Sequence, residues 1–330
     1  MHASDAMGTP AATAPAWLQT LLDSTRDLLH QEQELSHQLG RLPEAIAGLT
    51  AQLQALEQIA ALSSWEWAAW NQLRDAFSLH PANPGFEAAF RSLAQGWRGG
   101  STLLEQASSP RAVVLHLSCQ PRLERALASV RSFGDPCDGA PLHVVVVGGS
   151  QRVRLTGLAH AAGWLLELPS PDHYEHLHDK LFTAVALLWL WVAPPQLVKL
   201  DDDLHLGDPA TWEHTLEALR TDGVAYAGRA VRAHHRDLRH GWHLNKCHDQ
   251  RCEQWGYQYP LPRCFAAGGS GYVLGDAALA ELAYAHLAMR QFFCMPCVGL
   301  EDGLVGLILQ TAGISLHALD APVLPGLSSS

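Results

Sequence analysis

Two groups of carboxylates in this chain are placed where they could do chemistry. The first is Asp201, Asp202 and Asp203, which directly follow residues 196–200, an apolar run typical of a buried strand. Adjacent carboxylates repel one another, and a divalent cation such as Mg²⁺ or Mn²⁺, which prefers oxygen ligands, relieves that repulsion. In an extended backbone Asp201 and Asp203 point to one side and Asp202 to the other, so one could reach a metal ion while another reaches a substrate. An acidic surface turn is the alternative.

The second group is Glu301 and Asp302, at the start of an amphipathic helix predicted to end near Ala312. The helix dipole favours a carboxylate at this position. If such a carboxylate also lines a cleft, it can act as a general base toward a hydroxyl group. The alternative is an ordinary helix N-cap, a role that aspartate fills well.

A glycine-rich loop lies between the two carboxylate groups. Its central residues are Gly268, Gly269, Ser270 and Gly271. Glycine allows a backbone to approach a ligand closely or to adopt a positive φ. The spacing does not match a dinucleotide-binding fingerprint, and a strand rather than a helix is expected to follow. The loop is therefore a candidate binding element, with a tight turn between core elements as the alternative.

Four apolar runs predict the strands that must position these groups. Helical patterns separate the runs. The runs cover residues 112–117, 143–147, about 163–166 and 196–200, and the helical patterns cover 123–133 and 178–192. Strands that alternate with helices favour an α/β sheet with mostly parallel strands. Ligands of such sheets bind beyond the carboxyl ends of the strands, and the aspartates after the fourth run lie at such an end.

The bulk composition narrows the class of protein. Of the 330 residues, 48% are hydrophobic and 17% are charged, which indicates a globular chain with one large domain and an accessory segment. The formal net charge of -11 argues against general nucleic-acid binding, because phosphate contacts need a basic surface. The seven cysteines do not suggest a disulfide scaffold. No signal peptide or transmembrane segment is recognisable, so a cytoplasmic location is expected.

The N-terminal third has a different pattern. Residues 1–15 are expected to form a flexible tail and residues 16–110 an α-helical segment. Leucine recurs at every seventh position from Leu21 to Leu56, which indicates a coiled-coil seam or a helical hairpin, with Pro43 placed to start a second helix. One prediction is a homo-oligomer that associates through these heptads. The other is that the helices pack against the rest of the chain.

Taken in order, these motifs resemble those of the β1,3-glycosyltransferase family that includes fringe and the core-1 β1,3-galactosyltransferase. The resemblance covers about residues 111–316. Lys199-Leu-Asp-Asp-Asp203 is similar to the family's Lys-x-Asp-Asp-Asp motif, and Gly268-Gly-Ser-Gly-Tyr272 is similar to its Gly-Gly-Ala-Gly-Tyr loop. Glu301-Asp302 through Gly306 resembles the family's Glu-Asp-x-x-x-Gly motif. Upstream, the similar positions are Arg122, Arg125, Arg131, Gly148, Asp172, Tyr174 and Lys180.

The resemblance implies that residues 111–330 form a catalytic domain of the GT-A fold, an α/β fold with a mixed, mostly parallel central sheet flanked by helices. It implies inverting transfer of a hexose (galactose, glucose or N-acetylhexosamine) from a UDP-sugar to a glycan hydroxyl in a β1,3 linkage, with Mn²⁺ or Mg²⁺ as cofactor. The implied catalytic base is Asp302. The implied metal ligands are Asp201, Asp203 and His317. The implied donor-binding residues are Arg122, Arg125, Lys180, Asp201, Asp202, Gly268, Gly269, Ser270 and Gly271.

Other interpretations stay open. His205, on the predicted strand face of the outer aspartates, competes with His317 as a metal ligand. The alternative functions are a catalytically inactive nucleotide-sugar or glycan-binding scaffold and a metal-dependent phosphohydrolase. The Cys- and His-rich segment 240–252, together with Cys294 and Cys297, could bind zinc or form a redox pair. We favour an acceptor-side loop, whose aromatic residues contribute to a sugar-binding surface.

Overall fold

The computed structural model describes residues 15–39, 43–61, 67–97, 110–134, 140–158, 163–232, 246–250, 262–293 and 301–329. The chain divides into two compact units, Met1–Leu93 and Ala94–Ser330, and each is described by itself. None of the described helices combines the length and the apolar character that crossing a membrane requires.

Helices form the described part of the first unit. They are α1 (Ala16–Leu39), α2 (Pro43–Ala60), α3 (Trp67–Leu79) and α4 (Gly85–Gln95), whose last two residues fall in the second unit. The predicted start of a helix at Pro43 is confirmed, and α2 packs against both α1 and α3. The heptad leucines Leu21, Leu49 and Leu56 are buried, whereas Leu35 is 45% exposed. The helical-hairpin interpretation therefore accounts for α1 and α2, and self-association stays a prediction.

A cluster of neutral polar side chains is buried in this unit. Asn83 donates through Nδ2 to Thr25 Oγ1 and to Gln52 Oε1, both at 2.9 Å. Asn83 Oδ1 accepts a hydrogen bond from the amide of Gly85 at 3.0 Å. Gln52 Nε2 donates to the carbonyl oxygen of Ala76 at 3.0 Å. These hydrogen bonds connect α1, α2, α3 and the start of α4.

Twelve short strands are described in the second unit. They are β1 (Val113–Leu117), β2 (Leu142–Val147), β3 (Arg154–Gly157), β4 (Gly163–Glu167), β5 (Gln196–Asp201), β6 (Leu204–Leu206), β7 (Tyr226–Gly228), β8 (Ala230–Arg232), β9 (Cys264–Ala266), β10 (Tyr272–Gly275), β11 (His317–Ala318) and β12 (Leu327–Ser329). Eight of them form one sheet in the order β11-β7-β10-β5-β1-β2-β4-β3. In its centre β4, β2, β1 and β5 are parallel, while β3 and β10 run antiparallel to β4 and β5. The pairs β6–β12 and β8–β9 form two small ribbons.

Helices cover both faces of this sheet. They are α5 (Leu123–Ser132), α6 (Leu177–Val192), α7 (Pro209–Thr221), α8 (Asp276–Ala288), α9 (Arg290–Phe293) and α10 (Glu301–Thr311). Val114 and Val198 pack with Trp212 of α7, and α5 packs against β1 and β2. Side chains alternate along a strand, so Lys199 points to the opposite face from Val198 and reaches Glu301 of α10. The apolar helix α6 packs against α8 and also contacts α10, β1 and β2.

The expected α/β architecture, with a large, mostly parallel central sheet flanked by helices, is confirmed. The four predicted strands correspond to β1, β2, β4 and β5, and the predicted helices between them to α5 and α6. The strand expected after the glycine loop is β10. Sequence patterns do not predict β3, β7 or β11, because runs of two to four residues are too short to show a period.

Candidate functional site

The carboxyl ends of the parallel strands open into a cavity of about 940 Å³. From β1 the chain adds β2 and then β4 on one side, whereas β5 lies on the other side of β1. The strand order therefore reverses between β1 and β5, and ligands of open α/β sheets bind in the crevice at such a point. The segments that follow β1 and β5 line the cavity, as does the glycine loop before β10.

The three aspartates at the end of β5 divide between two cationic groups, with Asp201 on one and Asp202 and Asp203 on the other. Asp201 ends the strand, and its Oδ1 lies 2.5 Å from Lys199 Nζ. Asp203 Oδ2 lies 3.2 Å from Arg125 Nη2, and Asp202 Oδ1 lies 3.7 Å from Arg125 Nη1. Residues 202 and 203 form a turn. The predicted extended backbone through all three aspartates is therefore wrong. As a result of the turn, Asp202 and Asp203 share one partner and Asp201 has another.

Asp202 is buried between the ends of two strands. Its Oδ2 accepts a hydrogen bond from Ser118 Oγ, after β1, at 3.0 Å. Arg122 Nη1 lies 3.9 Å from Asp202 Oδ1, and the Arg122 side chain is 63% exposed and lines the cavity. The arrangement gives Asp202 a role in holding the aspartate turn against β1.

Helix α5 fixes the backbone after the aspartate turn. Ser129 Oγ donates to the carbonyl oxygen of Leu204, and Ser132 Oγ accepts from the Leu206 amide at 2.9 Å. Both partners lie in β6. Helix α5 also carries Arg125. It therefore positions the aspartates in two ways, through ion pairs with their carboxylates and through hydrogen bonds to the backbone of β6.

Asp172 and Lys180 form an internal pair at the same edge of the sheet. Asp172 Oδ1 accepts from Lys180 Nζ at 2.7 Å and from the Gly148 amide at 2.8 Å, and its Oδ2 accepts from the Gln120 amide at 2.6 Å. Lys180 is fully buried and also donates to the Ser118 carbonyl oxygen at 2.8 Å. The pair ties the ends of β1 and β2 together. Lys180 lines the cavity, and its predicted contact with a donor stays a prediction, because its ammonium group donates to Asp172 and to the Ser118 carbonyl oxygen.

The glycine loop packs directly on the second carboxylate group. The amide of Gly268 donates to Asp302 Oδ2 at 2.9 Å. A Cβ added at Gly268 would lie 2.6 Å from Glu301 Oε1, so this close approach requires glycine. Gly271 has φ of 72°, and a Cβ there would lie 2.9 Å from a side chain of β5. Residues 268–270 line the cavity, and Gly271 sets the direction of the loop behind them.

Lys199 joins the two carboxylate groups. Its Nζ lies 2.5 Å from Asp201 Oδ1 and 2.8 Å from Glu301 Oε1, and it donates to the Gly268 carbonyl oxygen at 3.3 Å. Glu301 and Asp302 open α10 as predicted and are both buried. Both line the cavity, so the N-cap alternative does not account for their position. The buried ammonium group of Lys199 is therefore the counter-ion in a cluster of three carboxylates, those of Asp201, Glu301 and Asp302.

The buried negative charges of this cluster shift the pKa values of its members. Burial raises the pKa of Asp302 to about 7, and the charge of Glu301 adds to this effect. The Gly268 amide and the Lys199 ammonium act in the opposite direction but do not cancel it. Burial alone would lower the pKa of Lys199, but Asp201 and Glu301 outweigh it and raise that pKa above its ordinary value. The lysine stays charged while Asp302 exchanges its proton near neutral pH, which suits a general base.

Asp201 and Asp203 are the candidate ligands for a divalent cation. Both line the cavity, and each side chain is 39% exposed. In the part of the chain that the structure describes, no group of three or more His, Cys, Asp or Glu side chains could hold a metal ion. Mg²⁺ commonly takes one or two carboxylates and completes its shell with water and substrate phosphates. Asp201 and Asp203 could supply two such carboxylates, and the metal site stays a prediction.

The structure does not bring the remaining predicted residues into the cavity lining. His317 is exposed on the edge strand β11, in register with Ala227, and is not among the residues that line the cavity, so its role as a metal ligand stays a prediction. The competing His205 lies on β6 and is also not among the lining residues. Arg125 acts on the site through its ion pairs with the aspartates, and Gly271 lies behind the loop.

One part of the cavity wall is not apparent from the sequence, and another falls in a segment that the sequence analysis singles out. No motif marks Ser118, although it binds Asp202. Residues 246–250 belong to the predicted acceptor-side segment, and the cavity lining includes Lys246. The rest of that segment, with Cys294 and Cys297, lies outside the described residues, so the zinc and redox interpretations stay predictions.

Fold and site together define an α/β protein with an acidic cavity at the point where its strand order reverses. A scan against protein-family models and a search of curated proteins both find no match. The function is therefore inferred from the residues and geometry of the site.

Proposed function

We propose that this protein is a metal-dependent, inverting glycosyltransferase of the GT-A type. It moves a hexose from a UDP-sugar to a hydroxyl group of a glycan acceptor and forms a β1,3 linkage. The observation that carries the proposal is that Asp201 and Asp203 share one cavity with Asp302, whose pKa is about 7. The ordered motifs that resemble the β1,3-glycosyltransferases support the same reaction.

Asp302 is the general base in this proposal. An inverting transfer needs one base for the acceptor hydroxyl and no covalent nucleophile, because the hydroxyl oxygen attacks the sugar directly. The amides of Gly268 and Gly303 donate to the two oxygens of Asp302 at 2.9 and 2.8 Å, which fixes the orientation of its carboxylate. With a pKa of about 7, a large fraction of Asp302 is ionised at neutral pH and can accept the proton.

The donor lies at the aspartate turn in this proposal. Asp201 and Asp203 would hold a divalent cation, which when bound supplies positive charge for the departing diphosphate. Arg122, exposed at the cavity, is placed to contact a phosphate oxygen. Asp202 keeps the turn in place through Ser118 rather than facing the donor with a free carboxylate.

Calorimetric titration of a panel of UDP- and GDP-sugars, with Mn²⁺ and then with EDTA, tests the donor site. We expect metal-dependent binding of a UDP-sugar, weakened by about tenfold or more in Asp203→Ala because a ligand of the ion is lost. Glu217→Gln, on the exposed surface of α7, is the control and should bind normally. No binding of any nucleotide sugar would overturn the proposal.

Asp302→Asn tests the base. Asparagine keeps the shape of the side chain but cannot accept a proton, so we expect the transfer rate to fall by about 10²–10⁴-fold. Donor affinity should be retained, because the contacts of Asp201 and Asp203 with Lys199 and Arg125 do not involve Asp302. Full turnover in this variant would exclude the base assignment. A binding scaffold would instead bind UDP and release none from a UDP-sugar, even in the unmodified protein.

A further inference from the structure

A set of contacts on the cavity wall is not used by the mechanism above. Residues 173–175 and 246–249, which we call the clasp, face each other there. The buried side chain of Glu175 accepts two backbone hydrogen bonds, from the His248 amide at 3.1 Å and from the Asp249 amide at 2.9 Å. Hydrogen bonds to a carboxylate are stronger than those between neutral groups, so Glu175 anchors the second half of the clasp.

Ring contacts join the two halves of the clasp at two more places. The imidazole rings of His173 and His248 are stacked, with centroids 4.2 Å apart and an interplanar angle of 17°. Lys246 Nζ lies over the ring of Tyr174, 5.4 Å from its centroid. These four side chains line the cavity, whereas Glu175 is not among the lining residues and acts only through the backbone it holds.

The clasp borders the candidate base. Tyr174 of the clasp lines the same cavity as Asp302. Burial is the largest cause that raises the pKa of Tyr174, followed by the charges of Glu301, Asp302, Cys247 and Asp201, so the phenol group lies within electrostatic range of Asp302 and, more weakly, of Asp201. The acceptor hydroxyl must lie beside the base that takes its proton, so the clasp is placed next to the acceptor.

We propose that the clasp is the acceptor-side wall of the cavity and that Glu175 is the positioning residue that holds it in place. This inference rests on the proposed function, because Asp302 defines the acceptor side. The occupant is a saccharide, since imidazole and phenol rings offer flat faces for the apolar side of a sugar ring. Glu175 touches neither substrate and determines acceptor binding through the position of residues 246–249.

Cys247 provides a readout that does not depend on activity. It belongs to the clasp, is half-buried and lines the cavity. In Glu175→Gln one of the two backbone amides faces an amide group instead of a carboxylate oxygen, so the clasp opens more often. We expect alkylation of Cys247 by iodoacetamide, followed by peptide mass spectrometry, to be about tenfold faster. The rate of Cys119, a lining thiol outside the clasp, should not change, and Glu217→Gln should alter neither thiol.

Steady-state kinetics test the role in acceptor binding. With the UDP-sugar found by calorimetry and a panel of aryl β-glycosides as acceptors, Glu175→Gln should raise the acceptor KM about tenfold. Hydrolysis of the UDP-sugar by water, which needs no acceptor, should stay within about twofold of its original rate. Glu175→Asp keeps the charge and should recover part of the acceptor affinity. A general structural defect would instead lower the rates of both transfer to the acceptor and hydrolysis of the UDP-sugar.

Two results would overturn the proposal: an unchanged Cys247 rate in Glu175→Gln, or a faster rate with an unchanged acceptor KM. If no UDP-sugar is turned over, the proposed function fails. The role of the clasp is then tested by whether an aryl glycoside protects Cys247 from alkylation. An aryl glycoside that slows alkylation of Cys247, but not of Cys264, then supports a saccharide-binding wall. Absence of protection under those conditions overturns it.

Discussion

Each unit of this molecule buries a cluster of polar side chains, and the two clusters are balanced differently. In the first unit, the neutral groups of Thr25, Gln52 and Asn83 supply donors and acceptors for one another and for nearby backbone. In the second unit, the single ammonium of Lys199 faces a surplus of carboxylates, of which it directly contacts Asp201 and Glu301. Both clusters connect several elements, but only the second carries an unbalanced charge.

The difference separates a structural role from a chemical one. A neutral cluster with satisfied hydrogen bonds fixes how its helices pack, and its energy does not depend on proton uptake. A buried cluster with surplus negative charge is costly to maintain, and the cost appears as the raised pKa of Asp302. Groups with such shifts, when they line a cleft, are candidates for catalysis. Burial alone would not have distinguished the two clusters.

Lys199→Met should have the largest effect, because it leaves Asp201 and Glu301 without their shared counter-ion. We expect the free energy of unfolding, measured by urea denaturation at pH 8, to fall by about 3–5 kcal/mol. The loss should be smaller at pH 5, because Asp302, with a pKa of about 7, is protonated there and the cluster carries less negative charge.

The double variant Lys199→Met, Glu301→Gln is the matched control for that loss. Removing both members of an ion pair leaves less uncompensated charge than removing one, so the double variant should recover part of the stability. A loss of less than about 1 kcal/mol in Lys199→Met would contradict the comparison, because it would mean that the carboxylates do not depend on the lysine.

Asn83→Ala should have a smaller effect in the first unit. It leaves the Gln52 side-chain oxygen buried without its donor, and we expect a loss of about 1–3 kcal/mol in the same urea measurement. The loss should be equal at pH 5 and pH 8, because none of the three side chains in the cluster titrates. Thr20→Ala, on the exposed face of α1, is the control. A loss that changes with pH would remove the distinction between the clusters.

The sequence predicts the centre of the sheet well and its periphery poorly, for a physical reason. The strands β1, β2, β4 and β5 are apolar on both faces because helices cover them, so each shows as a continuous apolar run. The edge strand β11 has two residues, and its pairing with β7 depends on the whole chain between them. The same holds for His317, because its position in the sequence does not indicate at which edge of the sheet it lies.

The candidate site shows the same limit. Asp201 and Asp302 are predictable because each adjoins the end of a regular element, and such ends carry the functional groups of α/β proteins. The bridge that Lys199 forms between the two carboxylate groups is not predictable, since it depends on α10 placing Glu301 on the side of β5 to which Lys199 points. The role of Glu175 is also not predictable from the sequence, because its partners are backbone amides, which no side-chain motif indicates.

Glu301→Gln should give the smallest effect and the most specific one. After burial, Glu301 is the largest cause of the raised pKa of Asp302, so removing its charge should lower that pKa. A base must be ionised to act, and the acidic limb of kcat/KM should therefore move to lower pH by about one unit. Because folding raises the pKa of Asp302, the unmodified protein loses stability as pH rises toward 7, and the variant should lose less. In the control variant Glu217→Gln, the pH dependence of kcat/KM and that of stability should both stay unchanged. If the acidic limb of kcat/KM in Glu301→Gln moves to higher pH instead, another group determines the pKa of the base.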